Sequence, residues 1–131
     1  MEIVFLLGPQ ETDYAADIKR AGYQWVSDLS LAEVAQLMNA PGKTVLVIGN
    51  DTGIMHLACA LGCPSVTISA ASSSFTWFPY LSPKHRLCRA ECARPQCAVS
   101  CRKINECIAK ISVEQVWKEA QICLYNPNNG L

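Results

Sequence analysis

Short apolar runs rich in β-branched and aromatic residues recur about every twenty residues through the first half of the chain. They are Ile3-Val4-Phe5-Leu6-Leu7, Tyr23-Gln24-Trp25-Val26, Thr44-Val45-Leu46-Val47-Ile48 and Ser65-Val66-Thr67-Ile68-Ser69. Each is strand-sized, and the first stops at the turn signal Gly8-Pro9. The third is apolar on both faces, as a central strand of a parallel sheet must be. Amphipathic segments fill the intervals. Thr12 to Ala21 places Tyr14, Ala15, Ile18 and Ala21 on one helical face, with Gly22 as a C-terminal cap. Ser30-Leu31-Ala32-Glu33 is a capping box for a helix whose Leu31, Val34, Leu37 and Met38 should face inward, ended by Asn39, Pro41 and Gly42. Asp51 or Thr52 caps a helix to about Leu61. A second capping box, Ser112-Val113-Glu114-Gln115, opens a last helix carrying Val113, Val116, Trp117 and Ala120. Strands separated by helices mean βαβ units. The expected fold class is α/β, a Rossmann-like three-layer α/β/α sandwich around a mainly parallel sheet. Right-handed crossovers favour the strand order 2-1-3-4.

Composition limits what such a fold can do. A chain of 131 residues suits one domain, and with 50% hydrophobic and 17% charged residues it is not disordered. Eleven basic residues balance eleven acidic ones, which excludes nucleic acid bound by bulk positive charge. No apolar run approaches the roughly 18 residues of a membrane-spanning helix. The first ten residues lack the basic start of a signal peptide, so a cytoplasmic location with reduced thiols is expected. The balance is uneven along the chain. Residues 1–83 hold three basic and seven acidic residues, whereas 84–131 hold eight and four. The change near Pro83 divides a core, 1–83, from a cysteine-rich basic loop and C-terminal helix, 84–131, packed on the same domain.

Ligands of open parallel sheets bind beyond the carboxyl ends of the strands. Gly49-Asn50-Asp51-Thr52-Gly53 follows the third run and opens a helix, so its free N–H groups suit a phosphate. Gly53 admits close approach, Thr52 adds a hydroxyl, and His56 can reach the same anion. On residue types alone, Asp51 could equally be only a helix cap and His56 only a core histidine.

The stretch Asp51-Thr52-Gly53-Ile54-Met55-His56-Leu57-Ala58-Cys59-Ala60-Leu61-Gly62-Cys63-Pro64 closely resembles the donor-site signature of glycosyltransferase family 9, the ADP-heptose:lipopolysaccharide heptosyltransferases. Gly8-Pro9-Gln10-Glu11, Leu29-Ser30-Leu31 with Val34, Trp77-Phe78-Pro79, and Cys107-Ile108-Ala109-Lys110-Ile111 with Val116 resemble further family segments in the same order. The resemblance implies the C-terminal half of a GT-B fold, binding an ADP-heptose-like nucleotide sugar and inverting the sugar without a metal or other cofactor. It implies that Thr52, Gly53 and Ile54 cradle the diphosphate with help from His56. Asp51 would face the sugar, Glu11 would take the ribose hydroxyls, and Val34 would pack on adenine. The lipid A/core acceptor and the general base belong to the other half of such enzymes. The chain therefore reads as a fragment or truncated form of the donor half, with no catalytic residue of its own. It departs from the family in Ser69-Ala70-Ala71-Ser72, where Gly and Thr are usual.

The cysteines suggest a second class of function. Cys88, Cys92, Cys97, Cys101 and Cys107 fall within twenty residues, without paired Cys-x2-Cys knuckles. They are ordinary thiols, a Zn or Fe–S site, or disulfides formed on oxidation, and a metal-binding or interaction module without catalysis is the alternative reading. Cys59, Cys63 and Cys123 have apolar neighbours and should be core residues. The basic residues Lys84, His85, Arg86, Arg89, Arg94, Arg102 and Lys103 form a solvated loop or touch anionic lipid at the inner face of a membrane. An unpaired sheet edge would favour a homodimer.

Overall fold

The computed structural model describes residues 2–40, 44–70, 82–90 and 104–125. The chain forms two compact units, Met1–Gln36 and Leu37–Leu131.

In the first unit, β1 (Val4–Leu7) lies parallel to β2 (Gln24–Ser27), with Val4 opposite Gln24 and Leu7 opposite Ser27. The crossover is a 3-10 turn, Thr12–Tyr14, running into α1 (Ala15–Arg20). Gly22 ends α1 at φ +82°, where its N–H bonds Lys19 O and the Tyr23 N–H bonds Ile18 O. This is a Schellman cap, which needs a residue at ease with positive φ. Phe5 and Tyr23 stack obliquely with ring centroids 5.7 Å apart. The predicted capping box forms as written: the Ser30 N–H donates to Glu33 Oε2 at 2.8 Å, and the Glu33 N–H donates to Ser30 Oγ at 3.3 Å. It opens α2 (Leu31–Asn39), on which Val34 and Met38 are buried. Leu31 and Leu37 were expected inside as well, but Leu31 is 69% exposed and Leu37 is also exposed. The buried stripe of α2 is narrower than its apolar stripe.

In the second unit, β3 (Val47–Asn50), β4 (Ser65–Ser69) and β5 (His85–Arg89) form a parallel sheet in the order β3-β4-β5. Helix α3 (Gly53–Ala60) connects β3 to β4 and ends in a second Schellman cap. There Gly62 sits at φ +72°, with Gly62 N–H on Cys59 O and Cys63 N–H on Ala58 O. After β5 come α4 (Ile104–Ile108) and α5 (Val113–Tyr125). The second capping box opens α5 through Ser112 N–H to Gln115 Oε1 at 2.7 Å and Gln115 N–H to Ser112 Oγ at 3.2 Å. Helix α3 packs on β3 and β4, and α5 packs on β4 and β5. The core joins Val66, Cys88, Ala120 and Cys123, with Leu46, Ile68, Ile111 and Val116 against it. Arg86 Nε pairs with Glu119 Oε2 at 2.5 Å and ties β5 to α5. Beside it, at the start of β4 and β5, Ser65 Oγ lies 3.0 Å from His85 Nδ1, both side chains buried.

The architecture is α/β with parallel strands, as expected, and the neighbours 2-1 and 3-4 of the expected order are formed, β1 with β2 in the first unit and β3 with β4 in the second, each pair linked by a local crossover. Two expectations need correction. The central strand of the second sheet is β4, buried over nearly all its length, and not β3, whose Ile48 is exposed. Residues 85–89, expected in a loop, form a strand. His85 and Arg86 find partners on β4 and α5, so they do not mark a solvated segment.

Candidate functional site

The loop following β3 leads straight into α3, and the residues around it dictate its shape. A Cβ on Gly49 would lie 3.0 Å from Met55 Sδ, so glycine there lets the first turn of α3 fold close over the strand. The Asp51 N–H extends the β3–β4 ladder by donating to Ile68 O at 3.0 Å. Thr52 is the N-cap of α3, extended at φ −137°, and its carbonyl accepts from Met55 N–H at 3.0 Å. Its side chain makes no capping bond. Gly53 is exposed, with nothing within 4 Å of where a Cβ would stand. Among the described residues no hydrogen bond reaches the N–H of Gly53 or Ile54. These are the free first-turn donors of an α-helix, at the positive end of its dipole.

Side chains frame this opening. Asp51 Oδ2 accepts from Ser69 Oγ at 3.0 Å, and Asp51 Oδ1 faces His56 Nε2 at 3.9 Å. His56 is half-exposed and Asp51 less so. The structure thus brings Asp51, Thr52, Gly53, Ile54 and His56 together at one strand–helix junction. Sequence reasoning missed Ser69. The signal was present in the parallel register: Asn50 pairs with Ile68, so the next residue of β4 comes alongside Asp51.

Glu11 and Val34 belong to the first unit. The Glu11 carboxylate closes its own loop: Oε2 accepts from the Gly8 N–H at 2.8 Å, and the Glu11 N–H donates to Gly8 O at 3.0 Å. Val34 is 2% exposed. Ala71-Ser72, part of the loop that departs from the family pattern, and the family-like Trp77-Phe78-Pro79 lie outside the described residues.

Of the five clustered cysteines, Cys92, Cys97 and Cys101 also lie outside them. Cys88 is a buried free thiol in the second unit's core, 3.8 Å from Gln115 O, and burial pushes its ionisation up. Cys107 is half-buried on α4. Among the described residues no three His, Cys, Asp or Glu side chains gather where a metal could sit. Cys59, Cys63 and Cys123 are buried, as expected, and burial raises the ionisation of each thiol. An open apolar groove of about 420 Å³ in the second unit lies between α5 and β3 around Ile48, Ile68, Val116 and Trp117. It includes neither Asp51 nor His56, and no polar group converges in it except Asn50 and Ser112.

A model of glycosyltransferase family 9 (heptosyltransferase) matches residues 1–107. The crystal structure of the glycosyl transferase family 9 from Veillonella parvula DSM 2008 is similar at 25% identity with a TM-score of 0.75. The match covers 94% of this chain and 36% of that one. A search of curated proteins gave no match.

Proposed function

We propose that this chain, which belongs to glycosyltransferase family 9, the heptosyltransferases, binds the nucleotide-sugar donor, an ADP-heptose-like molecule, at the junction of β3 and α3. The observation that carries the reading is the uncapped start of α3, where the Gly53 and Ile54 N–H groups and the Thr52 side chain meet no described partner. A diphosphate gains negative charge as it leaves, and donors already oriented toward it stabilise that charge without reorganising. Thr52, Gly53 and Ile54 hold the diphosphate, His56 supports it when protonated, and Asp51 faces the sugar. The resemblance further implies a ribose contact at Glu11, by the oxygen not bound to Gly8, whereas Val34, 2% exposed, has no face to offer the adenine and serves the core.

Transfer also requires an acceptor and a base held in one geometry with the donor. The family resemblance assigns both to the acceptor half, and this chain spans about a third of the matched structure's length. Donor binding is the part of such a transfer that we propose for these residues. Within a whole enzyme the sugar would pass to a lipopolysaccharide-core acceptor at the inner face of the membrane. No helix among the described residues is long and apolar enough to cross a membrane.

Calorimetric titration with ADP tests the reading. Gly53→Val should leave the fold intact, because open space surrounds the new side chain, and should weaken ADP binding at least tenfold by filling the phosphate's place. Equal ADP affinity in the two proteins, or no heat from the wild type at millimolar ADP, would reject the site.

A further inference from the structure

We infer that Ser69 is a positioning residue of this site: its hydroxyl holds the Asp51 carboxylate off the start of α3 and keeps the Gly53 and Ile54 N–H groups open to an anion. The inference rests on the phosphate-binding reading above. Asp51 stands one residue before the N-cap. An aspartate there can fold back in an Asx turn onto the Gly53 N–H two residues on, drawn by the free donor and the helix dipole. A carboxylate placed there would occupy that donor and repel a diphosphate. Here both of its oxygens are engaged elsewhere, Oδ2 by Ser69 Oγ at 3.0 Å and Oδ1 toward His56 Nε2 at 3.9 Å.

Ser69 is suited to the task by its place. It is the last residue of β4 and 1% exposed, so its position is fixed by the sheet. The ladder bond from Asp51 N–H to Ile68 O sets the two side chains next to each other. The single hydroxyl proton can go to Asp51 Oδ2 or to Ala70 O at 3.1 Å. The charged carboxylate is the stronger acceptor.

The test is NMR on the full chain, following the Gly53 and Ile54 amides and the His56 ring, with ADP as the probe. In Ser69→Ala the carboxylate, no longer held by that hydroxyl, should move onto the helix. The two amides should then shift downfield, the His56 resonances should move, and ADP should bind about tenfold more weakly. Ser69→Thr should restore wild-type behaviour, and adding Asp51→Ala to Ser69→Ala should recover ADP affinity. Unchanged amides and imidazole in Ser69→Ala would overturn the inference whether or not ADP binds. A wild type that binds no ADP, with amides that still respond to Ser69→Ala, would support the positioning role and reject the phosphate reading. Should Ser69→Ala fail to fold, the wild type decides. Gly53 and Ile54 amides that already titrate with a carboxylate place Asp51 on the helix and sink the inference; amides that do not titrate support it.

Discussion

Single residues set the turns on which this fold depends, and two glycines do so by the same device. Gly22 and Gly62 each sit in the left-handed region at the end of a helix, completing paired Schellman bonds that satisfy carbonyls otherwise left without partners. Gly62 offers a clean measurement, since a Cβ there would meet nothing within 4 Å. Gly62→Ala therefore carries only the backbone cost of positive φ, about 1 kcal/mol, and urea denaturation should show it as a lower midpoint at unchanged slope. An unchanged midpoint would mean that the turn rearranges to negative φ. The Gly22 cap was legible in the sequence, because glycine after an amphipathic stretch has a local meaning, and Gly62 follows its helix in the same way. The Glu11 carboxylate shows the opposite case. The family resemblance implied a ribose ligand, and one of its oxygens is engaged by the Gly8 N–H three residues away. A motif match does not reveal such a loop closure.

At the scale of elements, what was legible followed from local pattern, and what was not followed from distant partners. Strand β4 runs from Ser65 to Ser69 as read, and both capping boxes form with their expected donors. Strand β5 was hidden. His85-Arg86-Leu87-Cys88-Arg89 has the charge of a loop, and only the fold supplies Ser65 for His85 and Glu119 for Arg86. Likewise Val113, 80% exposed, and Trp117 lie on the apolar stripe of α5 but largely outside its contact with the sheet. His85 gives β5 a measurable signature. Burial first, and the charge of Lys84 second, push its ionisation below the ordinary imidazole range near 6.5. Between that depressed value and about 6.5 the unfolded chain binds a proton that the folded chain refuses. Stability contributed this way is complete above about pH 7 and is lost as pH falls through 6.5 toward the lower value. The carboxylates that depart from ordinary behaviour, Glu33 and Glu114, are held lower by their capping bonds and titrate below this window. Denaturation midpoints should thus drop between pH 7 and 5 in the wild type, and His85→Gln should flatten that slope. A wild-type midpoint independent of pH over this range would show that His85 is not buried uncharged.

For the whole molecule, the distribution of buried side chains implies two levels of stability within one chain. Among residues 2–36 only Leu7, Ile18 and Val34 are buried, and a two-stranded sheet with so small a core is marginal in water. The second unit buries Met55, Ala58 and Cys59 of α3, most of β4, and Cys88, Ala120 and Cys123 between β5 and α5. Protection against hydrogen exchange should follow this difference, because amides open with the free energy of the cooperative unit that holds them. The β4, α3 and α5 amides are expected to exchange last, near the limit set by global unfolding. The β1–β2 ladder should exchange earlier by at least tenfold, equivalent to about 1.4 kcal/mol. Native-state exchange followed by NMR reads both sets in one experiment, and equal protection of β1 and β4 would show that the chain unfolds as a single unit. The same hierarchy bears on the proposed donor site. The turn proposed to face the phosphate is built on β3, β4 and α3 of the unit with the larger core. ADP should therefore raise protection of the β4 and α3 amides, since a ligand that binds only the folded unit adds its binding free energy to every opening that destroys the site.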